Sequence, residues 1–202
     1  MIPIKEINIK NKDRIKLPFT FDPVKMLDEC RALELLHFEY YSVIQLRAPS
    51  HIVDTSLPIP PPSGDYADGS WTEWLDTKAL KSSPYLKSVV DSFRKHTKVT
   101  LVRLLRLAPG AIVKEHTDPT LGLEIDKSLI RLTIPIYTNN QVTFYLNGTE
   151  VPLQPGECWY LKLTDSHKID NLGATERINL TIDMIPNEWV TKAIKDSLIA
   201  NG

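Results

Sequence analysis

The chain has 202 residues, of which 42% are apolar and 24% are charged, and its formal net charge is −1 at pH 7. This composition is typical of a folded globular domain and excludes a mainly disordered chain. The small net charge argues against binding to nucleic acid or to an anionic membrane surface. Because the first residues lack a signal-peptide pattern and Cys30 and Cys158 form no CxxC pair, we expect a soluble cytoplasmic protein.

Helices and one long loop are predicted for the first half of the chain. Residues 21–37 are predicted as a helix, because Asp22 offers an N-cap and proline follows it. Residues 41–47 are predicted as a strand. Residues 48–70 are rich in proline, serine, glycine and aspartate and are predicted as a loop, and loops of this length usually have a function. A second amphipathic helix is predicted to begin at Pro84.

Short β-type runs separated by turn residues follow in the second half. The dipeptide Asn147-Gly148 between two of them is a strong hairpin signal. A closing helix is predicted from residue 186 to about residue 200. Seven or so short strands predict a mainly β fold with flanking helices, namely a double-stranded β-helix of the jelly-roll or cupin-like kind. The β-type runs are residues 99–107, 130–137, 141–146, 149–153, 157–163 and 176–184.

One domain is expected over residues 1–202, because no repeat, linker or low-complexity tract divides the chain. Residues 1–97 are expected to supply helical support and a substrate loop. Residues 98–184 are expected to form the β-barrel core, and residues 185–202 the C-terminal helix.

Two of the predicted strands carry an arginine within a polar stripe. Strand side chains alternate between the two faces of a sheet, so polar and apolar sets separate onto opposite faces. The polar faces either line a site or simply meet solvent, and the pattern by itself favours neither. The polar sets are Arg177, Asn179, Thr181 and Asp183 in one strand, and Arg131 and Thr133 in the other.

Three side chains form a candidate metal site. His116 and Asp118 stand in a His-x-Asp pair, and His167 lies at the start of a later strand. Two imidazoles and one carboxylate can form the facial triad that holds Fe(II) with open coordination positions. A lone His-x-Asp pair is more often surface decoration. Arg177, ten residues after His167, strengthens the case, because a guanidinium can bind the far carboxylate of an iron-chelating keto-diacid.

A resemblance to a known family rests on an ordered series of motifs between about residues 41 and 183. On these motifs the chain resembles the aspartyl/asparaginyl β-hydroxylase family, which includes bacterial cis-4-proline hydroxylases. The motifs are Arg106-Leu-Ala-Pro-Gly110, His116-Thr-Asp118, Arg131-Leu-Thr-Ile-Pro-Ile-Tyr-Thr-Asn139, Pro155-Gly-Glu-Cys-Trp159, His167, Asn171 and Arg177-Ile-Asn-Leu-Thr-Ile-Asp183.

The resemblance implies an Fe(II)- and 2-oxoglutarate-dependent dioxygenase that uses O₂ to hydroxylate an unactivated C–H bond. It implies His116, Asp118 and His167 as the iron ligands and Arg177 as the partner of the distal 2-oxoglutarate carboxylate. It also implies that Arg131 lies near the cosubstrate. The family often reads Arg-Leu-His where this chain reads Arg-Leu-Thr, so a cosubstrate contact at Thr133 is expected to differ.

Four further residues are candidates for binding the substrate. Arg103 is expected either to meet a carboxylate or to form a salt bridge at the barrel rim. His51 either touches the substrate or is a solvated loop residue. Asp65 and Tyr66 belong to the long loop, and loops over a barrel mouth commonly supply substrate contacts or a lid.

The expected substrate is a free amino acid or a small amino-acid derivative, since the size of the chain and the lack of a peptide-docking repeat favour small molecules. One alternative is a peptide or protein aspartyl/asparaginyl hydroxylase. A second is a desaturase or epimerase with the same cofactors. A third is a non-catalytic, cupin-like metal-binding module, which would not need Arg177. The sequence does not indicate an oligomeric state.

Overall fold

The structure is a computed structural model that describes residues 13–33, 41–60, 72–125 and 129–200. Its strands are β1 (Arg14–Thr20), β2 (Tyr41–Pro49), β3 (Trp74–Asp76), β4 (Val99–Leu107), β5 (Ile112–His116), β6 (Ile130–Tyr137), β7 (Val142–Leu146), β8 (Thr149–Val151), β9 (Glu157–Leu161), β10 (His167–Asn171) and β11 (Arg177–Met184). Its helices are α1 (Pro23–Ala32), α2 (Ser50–Val53), α3 (Lys78–Lys81), α4 (Pro84–Arg94) and α5 (Glu188–Ala200). Among the described residues, no helix combines the length and the apolar character that crossing a membrane would require.

The strands form two antiparallel sheets. The large sheet has seven strands in the order β1-β9-β6-β11-β4-β2-β3, and the small sheet has four in the order β5-β10-β7-β8. A cavity lies between them and is lined by both sheets. This arrangement confirms the predicted mainly β, double-stranded β-helix fold.

The central strand of the large sheet, β11, is buried on both faces. Its apolar residues, such as Leu180 and Ile182, join the hydrophobic core. Its polar residues point between the two sheets, where Arg177 and Thr181 line the cavity. Asn179 and Asp183 are likewise only 2% and 3% exposed. The polar stripe of this strand therefore faces the interior of the barrel and not the solvent.

The main core lies between the large sheet and the helices on its outer face. The predicted apolar side of α4 is confirmed, because Leu86, Val89, Val90 and Phe93 are all buried in this core. A smaller apolar cluster fills part of the space between the sheets. The helices thus brace the sheet from outside and leave its inner face available for polar residues.

The Asn147-Gly148 turn joins β7 to β8, as predicted. Asn147 has φ of 50° and Gly148 has φ of 70°, and two consecutive positive φ angles are typical of a type I′ hairpin turn. Leu146 consequently pairs with Thr149. On its other side β7 pairs with β10, where Leu146 lies opposite His167.

Several element bounds differ from the predictions. Helix α1 ends at Ala32, and Leu33 is already extended, so the helix predicted to residue 37 is shorter; residues 34–40 lie outside the described part. Strand β1 was not predicted, because its short alternation of charged and apolar residues, Arg14-Ile-Lys-Leu17, resembles a surface segment. The predicted loop over residues 48–70 begins with the end of β2 and the short helix α2.

Asp76 on β3 ties the edge of the large sheet to α4. Its carboxylate accepts hydrogen bonds from Arg47 at 2.7 Å and from Arg94 at 2.6 Å. Burial opposes ionisation of this carboxyl group, but the hydrogen bonds from Arg94 and Arg47 outweigh it and lower its pKa below 3.8. Asp76 is therefore expected to stabilise the fold above that pH.

Asp76→Asn is expected to lower the free energy of unfolding at neutral pH by about 1–3 kcal/mol, since the guanidinium groups lose a charged partner. The stabilisation by Asp76 is lost as the pH falls from 3.8 through the folded-state pKa. The difference in the free energy of unfolding between wild type and variant should therefore become smaller under acidic conditions. Urea unfolding at neutral pH and at about pH 3 measures this, and a gap independent of pH would contradict the prediction.

Candidate metal centre

A cavity of about 270 Å³ lies between the two sheets. One wall comes from β4, β6 and β11 of the large sheet, and the other from β5, β7 and β10 of the small sheet. The polar stripes of β6 and β11 thus face the strands that carry the two histidines. Seven of the predicted site residues line this cavity: Arg103, His116, Asp118, Arg131, Thr133, His167 and Arg177.

Strand pairing brings the three candidate metal ligands together. His116 ends β5 and lies directly opposite His167, which begins β10, and their ring centroids are 4.2 Å apart. Asp118 follows two residues later, where its backbone N–H donates to the carbonyl of Leu163 at 2.8 Å. One potential ligand atom from each of the three side chains lies within 4.8 Å of the others.

Backbone carbonyls fix the tautomer of both histidines. Nδ1 of His116 lies 2.8 Å from the carbonyl of Lys114, and Nδ1 of His167 lies 3.0 Å from the carbonyl of Asp165. A carbonyl only accepts, so each Nδ1 carries the proton and each Nε2 keeps its lone pair for a metal. Burial lowers the pKa of His167, which favours the neutral ring that metal binding requires.

The carboxylate of Asp118 is held by Arg131. Nη1 of Arg131 donates to Oδ2 of Asp118 at 2.9 Å. The same guanidinium donates from Nε and Nη2 to the two carboxylate oxygens of Asp183, at 2.7 and 2.8 Å. Burial opposes the charge of Arg131, but Asp183 and then Asp118 raise its pKa. Arg131 therefore contacts two carboxylates at the cavity wall.

Arg177 is a buried cation at one end of the polar stripe of β11, and Asp183, which contacts Arg131, lies at the other end. It is 4% exposed, and no acidic residue within the described ranges forms an ion pair with it. Burial lowers its pKa to about 10, so it remains charged at neutral pH. An unpaired buried charge is costly, and its retention indicates an anionic ligand. Arg177 also lines a second cavity, of about 520 Å³, near the ends of β6 and β8.

Two more polar groups in the cavity wall lack partners. Nε of Arg103 is buried without a hydrogen-bond partner, and so is Oδ1 of Asn179. Burial, followed by the nearby charge of Arg131, lowers the pKa of Arg103. The expected rim salt bridge of Arg103 is not found within the part of the chain that the structure describes. Buried polar groups are normally paired, so these two are available for contacts with a ligand in the cavity.

The remaining predicted residues are placed as follows. Thr133 is 4% exposed and lies opposite Thr181 in the pairing of β6 with β11, so it belongs to the cavity wall. His51 lies in α2 and is not among the residues that line the cavity. Asp65 and Tyr66 lie outside the described residues.

The structure adds residues that the sequence did not single out. Tyr41 lines the cavity from the start of β2, and burial raises the pKa of its hydroxyl. Phe144 stacks against His167 with a centroid distance of 5.9 Å. Asn179 and Asp183 belong to the polar stripe predicted for residues 176–184, so the sequence pattern already indicated that they could line a site. For Tyr41 and Phe144 the sequence held no such signal.

Comparisons with known proteins agree with this geometry. A family model described as aspartyl/asparaginyl beta-hydroxylase matches residues 67–186. L-proline cis-4-hydroxylase of Rhizobium meliloti (strain 1021) is 28% identical over 109 residues, which cover 54% of this chain and 38% of that protein. L-proline cis-3-hydroxylase 2 of a Streptomyces species is 28% identical over 129 residues, which cover 60% of this chain and 43% of that protein. The chain thus matches less than half the length of these relatives.

Two solved structures share the fold. An oxidoreductase of the 2OG-Fe(II) oxygenase family from Burkholderia pseudomallei is similar with a TM-score of 0.55 at 10% identity, covering 88% of this chain and 86% of that one. The viral collagen prolyl hydroxylase of Paramecium Bursaria Chlorella virus-1 gives a TM-score of 0.50 at 9% identity, and the match covers 89% of this chain and 99% of that one. At these identities the likeness concerns the fold.

Proposed function

Because the chain belongs to the aspartyl/asparaginyl β-hydroxylase family, we propose that it is an Fe(II)- and 2-oxoglutarate-dependent dioxygenase that hydroxylates an unactivated C–H bond of a free amino acid or a small amino-acid derivative. The observation that carries this proposal is the joint presence, in one cavity, of the clustered triad and the unpaired Arg177. A module that only binds a metal has no use for that buried guanidinium.

The donor set fits ferrous iron. Two neutral imidazoles, of His116 and His167, and the carboxylate of Asp118 would hold the ion as a facial triad, a donor set that leaves positions for a chelating cosubstrate and oxygen. Bound iron with 2-oxoglutarate supplies the oxidising chemistry, in which O₂ is reduced as 2-oxoglutarate is converted to succinate and CO₂. The protein has no need of a general base among its own side chains.

Arg177 is assigned to the distal carboxylate of 2-oxoglutarate. Its planar guanidinium can donate two parallel hydrogen bonds to that carboxylate and neutralise it. Thr133 and Asn179 lie on the same wall and offer a hydroxyl and an amide for orienting the bound acid. These residues hold the cosubstrate in one pose and exclude water from it.

The charges of the cavity favour a substrate with one free carboxylate. Three arginines (Arg103, Arg131 and Arg177) line the cavity. Two carboxylates, Asp118 in the cavity wall and Asp183 behind Arg131, oppose them, which leaves one positive charge in excess. Fe(II) adds two positive charges and 2-oxoglutarate adds two negative ones. The remaining positive charge is balanced if a substrate carboxylate binds at Arg103. A free amino acid supplies such a carboxylate, provided that its ammonium group is directed away from Arg103, whereas an apolar residue inside a peptide supplies none.

Arg103→Met is expected to raise the KM for the amino-acid substrate by roughly 30- to 1,000-fold, since a buried charge pair is lost. Fe(II) and 2-oxoglutarate should still bind as in the wild type. Arg106→Met is the matched control, because Arg106 lies on the same strand, pairs with Glu176 and does not line the cavity. Steady-state kinetics measures both variants. An unchanged substrate KM in Arg103→Met would contradict the assignment of Arg103.

The proposed function is tested by anaerobic titration with Fe(II) and 2-oxoglutarate, followed by a screen of amino acids for succinate formation and oxidised product. A visible metal-to-ligand charge-transfer band and an amino-acid-dependent turnover would support it. No band under reducing conditions would favour a non-catalytic cupin-like module. Turnover of peptides alone would favour the peptide or protein hydroxylase, and a product that has lost two hydrogens without gaining oxygen would favour a desaturase.

A further inference from the structure

We propose that Asp183 is a positioning residue of the metal centre that acts through Arg131 on the ligand Asp118 and thereby sets the affinity for the metal. This inference rests on the proposed function, because it concerns the same site. Asp183 does not line the cavity. Asp183 therefore does not contact a metal in this cavity, and its contact with the site is made through a neighbour.

The contact between Asp183 and Arg131 is specified by the fold. The two residues are direct partners in the antiparallel pairing of β11 with β6. Both oxygens of Asp183 accept hydrogen bonds from Arg131, and Asp183 is only 3% exposed. A two-point contact between a planar guanidinium and a carboxylate fixes the plane as well as the position of the guanidinium.

That fixed plane determines where Nη1 of Arg131 lies. Nε and Nη2 are engaged by Asp183, so Nη1 is presented to Oδ2 of Asp118 at 2.9 Å. Oδ2 thereby accepts one hydrogen bond, and Oδ1 is left without a competing contact from Arg131 for binding a metal. Residues that orient a metal ligand in this way commonly change metal affinity when they are replaced.

The charge of Asp183 matters as well as its geometry. Arg131 alone would place a permanent positive charge beside a ligand of a divalent cation and would oppose metal binding. With Asp183 the network of Asp118, Arg131 and Asp183 has one net negative charge. Without the charge of Asp183 the network is neutral, and Arg131 is free to take both oxygens of Asp118. Both effects weaken the metal site.

Asp183→Asn is expected to weaken Co(II) binding by about 10- to 100-fold and to change the ligand-field bands of the bound ion. Anaerobic titration of the full chain with Co(II), followed by visible spectroscopy, measures both. Asp76→Asn is the matched control, because Asp76 is also held by arginines but lies outside the cavity. It should lose stability and keep the wild-type Co(II) affinity and spectrum.

A double-mutant cycle separates action through Arg131 from a general loss of structure. In an Arg131→Met background, Asp183→Asn should cause a much smaller further loss of Co(II) affinity, because the connecting side chain is already absent and only the charge of Asp183 acts across space. Arg131→Lys keeps the charge but cannot make the two-point contact, and it should reproduce the weakening even if Asp183→Asn does not fold.

Wild-type Co(II) affinity in Asp183→Asn, or fully additive effects in the cycle, would overturn this inference. If the wild-type chain binds Co(II) and converts 2-oxoglutarate, such a result leaves the proposed function standing. If the wild-type chain does not bind Co(II), the proposed function fails first and the inference fails with it.

Discussion

Replacing Arg177 by methionine is expected to stabilise the ligand-free protein while it removes most of the affinity for 2-oxoglutarate. Arg177 is buried, and no carboxylate in the described ranges pairs with it, so the folded state bears a cost for desolvating the guanidinium that no ion pair offsets. Methionine fills a similar volume without a charge. Exchanges of buried charges for apolar residues stabilise proteins by about 1–4 kcal/mol, and we expect a gain in that range.

The loss of affinity has the same physical origin. In the wild type, the distal carboxylate of 2-oxoglutarate would neutralise the buried Arg177, and removing one partner of a buried, hydrogen-bonded charge pair costs about 2–5 kcal/mol. We therefore expect Kd for 2-oxoglutarate to rise by about 100- to 1,000-fold in Arg177→Met. Thermal unfolding with and without 2-oxoglutarate and Fe(II) measures both effects, because a ligand raises the unfolding midpoint according to its affinity.

Arg177→Lys provides a control that keeps the charge. A lysine ammonium carries the same charge but cannot donate the two parallel hydrogen bonds of a guanidinium. We therefore expect an intermediate Kd for 2-oxoglutarate and no gain in the stability of the ligand-free protein. The assignment of Arg177 would be wrong if the methionine variant bound 2-oxoglutarate as tightly as the wild type. A methionine variant less stable than the wild type would show that the guanidinium supports the fold without any ligand.

Replacing His167 by alanine is expected to abolish the charge-transfer band and to lower turnover by three orders of magnitude or more, that is by at least about 4 kcal/mol. His167 supplies one of three ligand atoms, and its Nε2 is directed by the contact of Nδ1 with the carbonyl of Asp165. Two remaining ligands cannot hold the ion in a defined geometry. Iron content after anaerobic loading and single-turnover succinate formation measure the loss.

His96→Ala is the matched control for this variant. His96 is an exposed histidine that stacks on Trp189 at 4.3 Å and lies outside the cavity. Its replacement should leave iron content and turnover unchanged. Because His167 is buried against Phe144, the unfolding midpoint of His167→Ala must also be compared. A folded His167→Ala variant that still binds iron with wild-type affinity would refute the ligand assignment.

Local pattern was sufficient for much of the fold. The turn at Asn147-Gly148 and the alternation in residues 176–184 depend on neighbours in sequence, and both are found as predicted. The predicted end of α1 at residue 37 was wrong. The apolar side chains from Leu33 onward continue a helical pattern in the sequence, but the chain is already extended at Leu33. Strand β1 was missed, because short amphipathic strands with charged residues resemble surface segments.

The site could be predicted only as far as its residue types allowed. The His-x-Asp pair, the distal histidine and Arg177 were each visible in the sequence, and strand pairing brings the triad together. The partners of Arg131 could not be predicted, because they depend on the register between β6 and β11, which are far apart in sequence. The same holds for Tyr41, whose place at the cavity depends on the pairing of β2 with β4.

The position of β11 in the middle of the large sheet has a consequence for the choice of cosubstrate. Arg177 and Asp183 project from the same face of this strand, which is paired on both sides and cannot stretch. With a rise of about 3.4 Å per residue, their Cα atoms are held about 20 Å apart. If one end of a keto-diacid chelates a metal beside Arg131 and the other reaches Arg177, this fixed spacing along the backbone restricts the length of the keto-diacids that can make both contacts.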